Sequence, residues 1–160
     1  MCVLNGSKCR GIYKLFVIIP IIIIVYWFIL SSLAGKRALY VDPMNRIVFN
    51  TDIFENCCSW WPISHFFLFL FIGLTSPDCD VIAMSGGIVW ELFEVGVHSL
   101  AGYDRQGVRR EVGNLEYSKN WWAGSSKDIA FNFMGFYLGK IITIIRGGPI
   151  RGFGLAETKN

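Results

Sequence analysis

The sequence predicts an all-α fold, a polytopic helical membrane protein with about four membrane helices. Three observations carry this. The 160 residues are 53% hydrophobic and 16% aromatic but only 17% charged, and the mean hydropathy is +0.45. Soluble domains average roughly 25% charged residues. The apolar residues gather into four runs of helix length, near 15–34, 62–75, 80–101 and 126–146. Polar, turn-forming stretches separate those runs.

Residues 1–34 form a basic lead and the first helix. Lys8, Arg10 and Lys14 precede an almost wholly apolar run at 15–33, near the roughly 20 residues needed to cross the hydrocarbon core. A signal peptide has the same order of parts but an apolar core of only about 7–15 residues. A retained helix is therefore expected, although Ser31-Ser32-Leu33-Ala34-Gly35 resembles a cleavage site.

Residues 35–61 read as an extramembrane loop, with a turn at Asp42-Pro43. Trp60 and Trp61 suit a membrane interface, and Pro62 suits the first turn of a helix. The following run, 63–74, is short, about 18 Å as a helix. It is expected to span only with its flanks, or to be re-entrant. Ser76-Pro77-Asp78 breaks the chain before the third run, where Gly86-Gly87 permits close helix approach. A mixed-charge loop follows. Trp121-Trp122 mark another interface, and Ser125 or Ser126 is placed to cap the last helix. That helix carries small residues at Gly135 and Gly139, one turn apart. Residues 62–146 make up the membrane core, and 147–160, with Gly147-Gly148-Pro149, an irregular tail.

The net charge of +3 is small and the basic residues are dispersed. Nucleic-acid binding, which needs a basic stripe or cluster, is not expected; anionic headgroups are the expected partners of the charge. With four spans and the N-terminus inside, seven basic residues fall on the inner side and eight on the outer. The positive-inside rule then gives no orientation. The five cysteines are Cys2, Cys9, Cys57, Cys58 and Cys79. Their odd count and lack of zinc spacing suggest ordinary thiols in a reducing or membrane setting.

The chemistry concentrates at residues 90–139. Glu91 and Glu94 are three apart and share a helix face, with His98 near the same line. Asp128 and Asn132, four apart, share a face of the last helix, which Gly135 and Gly139 extend. Acids inside a membrane are expensive, so such groups are read first as a site. Two such faces turned toward each other would put four oxygen-bearing side chains in one pocket. Oxygen donors suit a hard cation, Ca2+ before Mg2+ or Mn2+. An ion there would offset charge on a lipid phosphate. The plainer reading stands beside this: Glu91 snorkels, Glu94 pairs with a neighbouring Lys or Arg, and Asn132 bonds between helices. His65, near the start of the second run, is by itself more often structural than catalytic.

These residues resemble a known family. Trp90-Glu91-Leu92-Phe93-Glu94, then Asn120-Trp121-Trp122 through Asp128 to Asn132, Gly135 and Leu138-Gly139, is similar to the core of the eukaryotic base-exchange phosphatidylserine synthases. Upstream, Asn56-Cys57 and Ile63-Ser64-His65-Phe66 resemble that family's N-C and I-S-H-F elements, and Asp42-Pro43 is similar to a D-P near its start. The resemblance covers roughly residues 42–146. It implies a multispanning, calcium-dependent enzyme that replaces the choline or ethanolamine of a phospholipid by L-serine. It implies metal ligation by Glu91, Glu94, Asp128 and Asn132, with the three acids and His65 as the catalytic set. Asn114, Asn132, Trp121 and Trp122 become the implied substrate-binding residues. It also implies an endoplasmic reticulum location. The chain departs from the pattern at Ala123, where the family carries Asp, and in an Asp128–Asn132 spacing one residue shorter. Family members are also much longer, with more spans.

The expected partners are thus a phospholipid, L-serine and the membrane, and a homo-oligomer is compatible with the sequence. Two other classes fit the residues. One is a metal-dependent headgroup hydrolase with water as acceptor. The other is a noncatalytic membrane protein whose acids pair with a partner's basic residues. A transporter is less favoured, since no inverted repeat is visible.

Overall fold

The computed structural model describes residues 9–34, 42–49, 58–100, 110–112, 115–117 and 126–150. It is mostly helical. Helix α1 (Arg10–Ala34) contains Pro20 and starts within the expected basic lead. A single 3-10 turn (Pro43–Asn45) follows, where Asp42 caps the Met44 N–H. The short strands β1 (Ile47–Phe49) and β2 (Cys58–Ser59) pair antiparallel, Ile47 with Ser59 and Phe49 with Cys58. Then come α2 (Trp60–Thr75) and α3 (Asp80–Leu100). A second small hairpin pairs β3 (Arg110–Val112) with β4 (Leu115–Tyr117), and α4 (Ser126–Ile145) closes the chain. Both ladders belong to the connections, so the packed centre is all helix.

Among the described residues two helices are long and apolar enough to cross a membrane, α1 over Arg10–Leu30 and α4 over Ser126–Ile145; α2 is a shorter apolar helix. Their outer faces bear exposed large side chains, among them Val17, Phe28, Phe67, Met134 and Ile144. Apolar surface on this scale marks a molecule that meets lipid or a partner rather than bulk water.

The closest packing joins α2 to α4, which run parallel. A methyl group built on Gly135 would lie 2.2 Å from the Phe66 carbonyl oxygen, and one on Gly73 2.2 Å from that of Phe136. Only glycine permits backbones this close. Thr143 Oγ1 donates across the same interface to the Gly73 and Leu74 carbonyls at 3.3 and 3.2 Å. This differs from the expected use of the Gly135–Gly139 face, which was to bring the two acid-bearing helices together. The face instead meets α2, because Gly73 supplies the reciprocal small residue there. The acid helix α3 meets α4 through another glycine, Gly87, described below.

A core of Cys9, Ile12, Phe69, Ile72, Cys79, Ala83, Met84 and Phe136 ties the four helices together at one end. Lys140 pairs there with Asp80 at 3.0 Å. Gly147, at φ 74°, turns the chain out of α4, and the Ile150 N–H returns to the Leu74 carbonyl at 3.0 Å.

The cysteine expectation is corrected here. Cys9 and Cys79 form a disulfide with Cα atoms 6.0 Å apart, across a sequence separation of 70. Spacing gave no sign of it, because the two thiols meet only when the start of α1 packs beside the turn before α3. Cys2 and Cys57 lie outside the described residues.

Candidate functional site

The site lies toward the end of the bundle away from the disulfide. His65 stands one turn into α2, just after Pro62 of the first turn, and Ser64 Oγ donates to the Trp61 carbonyl at 2.7 Å. Asn132 follows the first turn of α4, and Glu91 sits midway along α3. The three helices bring these residues together. His65 Nδ1 lies 3.1 Å from Asn132 Oδ1 and 3.5 Å from Glu91 Oε1. Both neighbours are acceptors, so Nδ1 carries the proton and donates. Nε2 is left with a lone pair, the form in which an imidazole accepts a proton.

All four predicted acid and amide side chains are buried: Glu91 is 3% exposed, Glu94 6%, Asp128 8% and Asn132 2%. Such burial is what separates a site, or a structural network, from snorkelling at an interface. It removes the snorkelling reading for Glu91. Glu94 interacts electrostatically with both Glu91 and Asp128, and Trp90, one turn before it, hydrogen-bonds to it. Asp128 sits in the first turn of α4, where the helix dipole favours an acid; its Oδ1 is buried with no hydrogen-bond partner among the described residues. Asn132 is seated by Gly87, since a methyl group there would lie 2.9 Å from Asn132 Nδ2 and 2.9 Å from the Phe69 ring.

The donor chemistry suits a hard cation: three carboxylates and an amide oxygen. Among the described residues, however, no three His, Cys, Asp or Glu side chains stand close enough to hold a metal ion. The donors converge without forming a closed cage. Asn114, Trp121 and Trp122 lie outside the described residues, as do Asn56-Cys57 and the side chain of His98.

Two contributors were not predicted as site residues. Trp90 was read as part of the motif, yet its bond to Glu94 follows from helical spacing. Helix α1 was read only as a retained first membrane helix, but it walls a cavity of about 400 Å³ that also touches His65, Asn132 and Gly87. A uniform apolar run gives no hint of that. Compared with known proteins, the chain matches no family model, no curated protein and no solved structure.

Proposed function

We propose that the chain is a multi-pass membrane enzyme exchanging phospholipid headgroups, replacing choline or ethanolamine by L-serine. One observation carries the reading: a buried His–Asn–Glu cluster, with Asn132 at 3.1 Å and Glu91 at 3.5 Å from one imidazole nitrogen, borders an apolar cavity. A reactive polar group beside hydrocarbon-sized space suits an amphiphilic substrate. In this reading α2 and α3 cross the membrane with α1 and α4, giving four spans.

The chemistry asked of these residues is modest. His65 Nε2 takes the proton of the serine hydroxyl as its oxygen attacks phosphorus. The bond from phosphorus to the amino-alcohol oxygen breaks, and His65 returns the proton to that oxygen. Asn132 Oδ1, accepting at Nδ1, holds the ring in the tautomer this needs. As they stand, Glu91, Glu94 and Asp128 are too far apart to hold a metal ion together; drawn in with Asn132 around a divalent cation, calcium first, they would let it supply charge neutralisation at the lipid phosphate. The disulfide adds an orientation: its end of the bundle faces an oxidising compartment, and the site end faces the reducing side. The endoplasmic reticulum membrane offers both.

The test is incorporation of labelled serine into lipid by membranes holding the protein, with and without calcium. A noncatalytic role has one observation on its side, the lack of a closed metal-ligand cluster. A purified protein that binds no calcium and makes no new lipid establishes that role.

A further inference from the structure

Among the described residues, helix α1 is attached to the bundle at two places. At its start the Cys9–Cys79 disulfide and the buried Ile12 hold it, with the Phe16 ring packed over Gly86. Ten residues beyond Phe16, the Tyr26 hydroxyl donates to the buried Asp42 at 2.5 Å. Between these anchors α1 stands away from α2 and α3. The space is the cavity of about 400 Å³, with Ile19, Ile22 and Ile23 on one side and Leu68 and Phe69 on the other. That volume lies in the range of ~300–1,000 Å³ typical of small-molecule sites. Its few polar lining groups include His65 and Asn132, both in the cluster described above.

An apolar cavity does not hold water well, and α1 presents exposed apolar side chains on its far side, Val17 and Ile21 among them. In the multi-pass reading the neighbouring solvent is hydrocarbon. We infer that this cavity seats one acyl chain of a membrane lipid, with the lipid's polar end at His65, Glu91 and Asn132 and α1 as a tethered wall. The inference rests on the lipid-substrate reading of that cluster and adds where the chain lies. A wall fixed at both ends admits a chain sideways from the bilayer while keeping the cavity's width.

The test is photo-crosslinking of the full chain in phosphatidylcholine nanodiscs, using a phosphatidylcholine with a diazirine on one acyl chain. Labelled peptides are mapped by mass spectrometry. Labelling is expected at Ile19, Ile23 and Leu68. Ile23→Trp, which fills the cavity, is expected to lower it by roughly tenfold. Ile21→Trp, on the exposed face, is expected to leave it unchanged. Ile19→Trp supplies a second cavity-filling variant should the first misfold. Equal labelling at Ile21 and Ile23, or equal effects of Ile21→Trp and Ile23→Trp, overturns the seat. Serine incorporation is read in parallel and fails separately. Expected labelling without exchange leaves the seat standing and removes the reaction. Exchange with even labelling removes the seat alone.

Discussion

In the proposed reaction, the imidazole of His65 is the group on which the chemistry turns. Its Nδ1 is engaged by Asn132 Oδ1 and faces Glu91, so only Nε2 is available to move a proton. Replacing His65 with Ala is expected to lower serine incorporation by about 10²-fold or more, the range of a lost general base, while the protein still inserts. Unchanged incorporation would assign the ring to structure. Glu94 tests the cation separately. Glu94→Gln keeps the shape and removes one charge among three neighbouring acids, so calcium binding, followed by isothermal titration, is expected to weaken, with lower exchange. If Glu94→Gln and Asp128→Asn both leave calcium binding unchanged, the acids are structural. At this scale much was legible in the sequence. Acids in apolar helices stand out because burying them is costly, and 3- and 4-residue spacing put each pair on a face. The pairing of His65 with Asn132 was not legible, since it depends on which helices run side by side. Trp90's bond to Glu94 was within reach of spacing, yet aromatic residues near lipid are so common that the signal is weak.

Helix pairing is decided by backbone approach. The Gly135–Gly139 face was visible as a pattern, but its partner was not, because the pattern says that something comes close and not what. The answer lay in Gly73, a single glycine in an apolar run, with its carbonyl and that of Leu74 bonded by Thr143. Gly135→Ala sets a methyl group 2.2 Å from the Phe66 carbonyl, so α2 and α4 must separate. The expected loss is about 1–3 kcal/mol, read as a lower midpoint of thermal unfolding in detergent. Ala at the exposed Gly96, where nothing lies within 4 Å, is the control and is expected to hold or slightly raise that midpoint, since Ala favours helix over Gly. A Gly135→Ala protein as stable as the parent would contradict the observed interface. Helix boundaries were legible to within a few residues for α2, α3 and α4, where Pro62, Ser76-Pro77 and Ser126 punctuate the chain. The start of α1 was placed too late, since the basic lead masks helix that begins at Arg10.

For the molecule as a whole, composition pointed to helices meeting lipid, and two helices are long and apolar enough to cross it. Orientation was beyond the sequence, with basic residues split almost evenly between the two sides. The Cys9–Cys79 disulfide supplies a direction. After reduction, a membrane-impermeant thiol reagent is expected to label these two cysteines only from the oxidising face of sealed vesicles; labelling from the reducing face would invert the proposed topology. The disulfide also joins distant parts of the chain, so Cys9→Ser is expected to reduce stability by about 2–4 kcal/mol, seen as a lower unfolding midpoint. The proposal that the buried cluster exchanges headgroups is met directly by one measurement. Purified protein in phosphatidylcholine and phosphatidylethanolamine liposomes is given labelled L-serine, with calcium or with chelator. Labelled phosphatidylserine that depends on calcium and falls about 10²-fold or more with His65→Ala is expected. No labelled lipid from folded protein, or equal label from His65→Ala, contradicts headgroup exchange at this cluster.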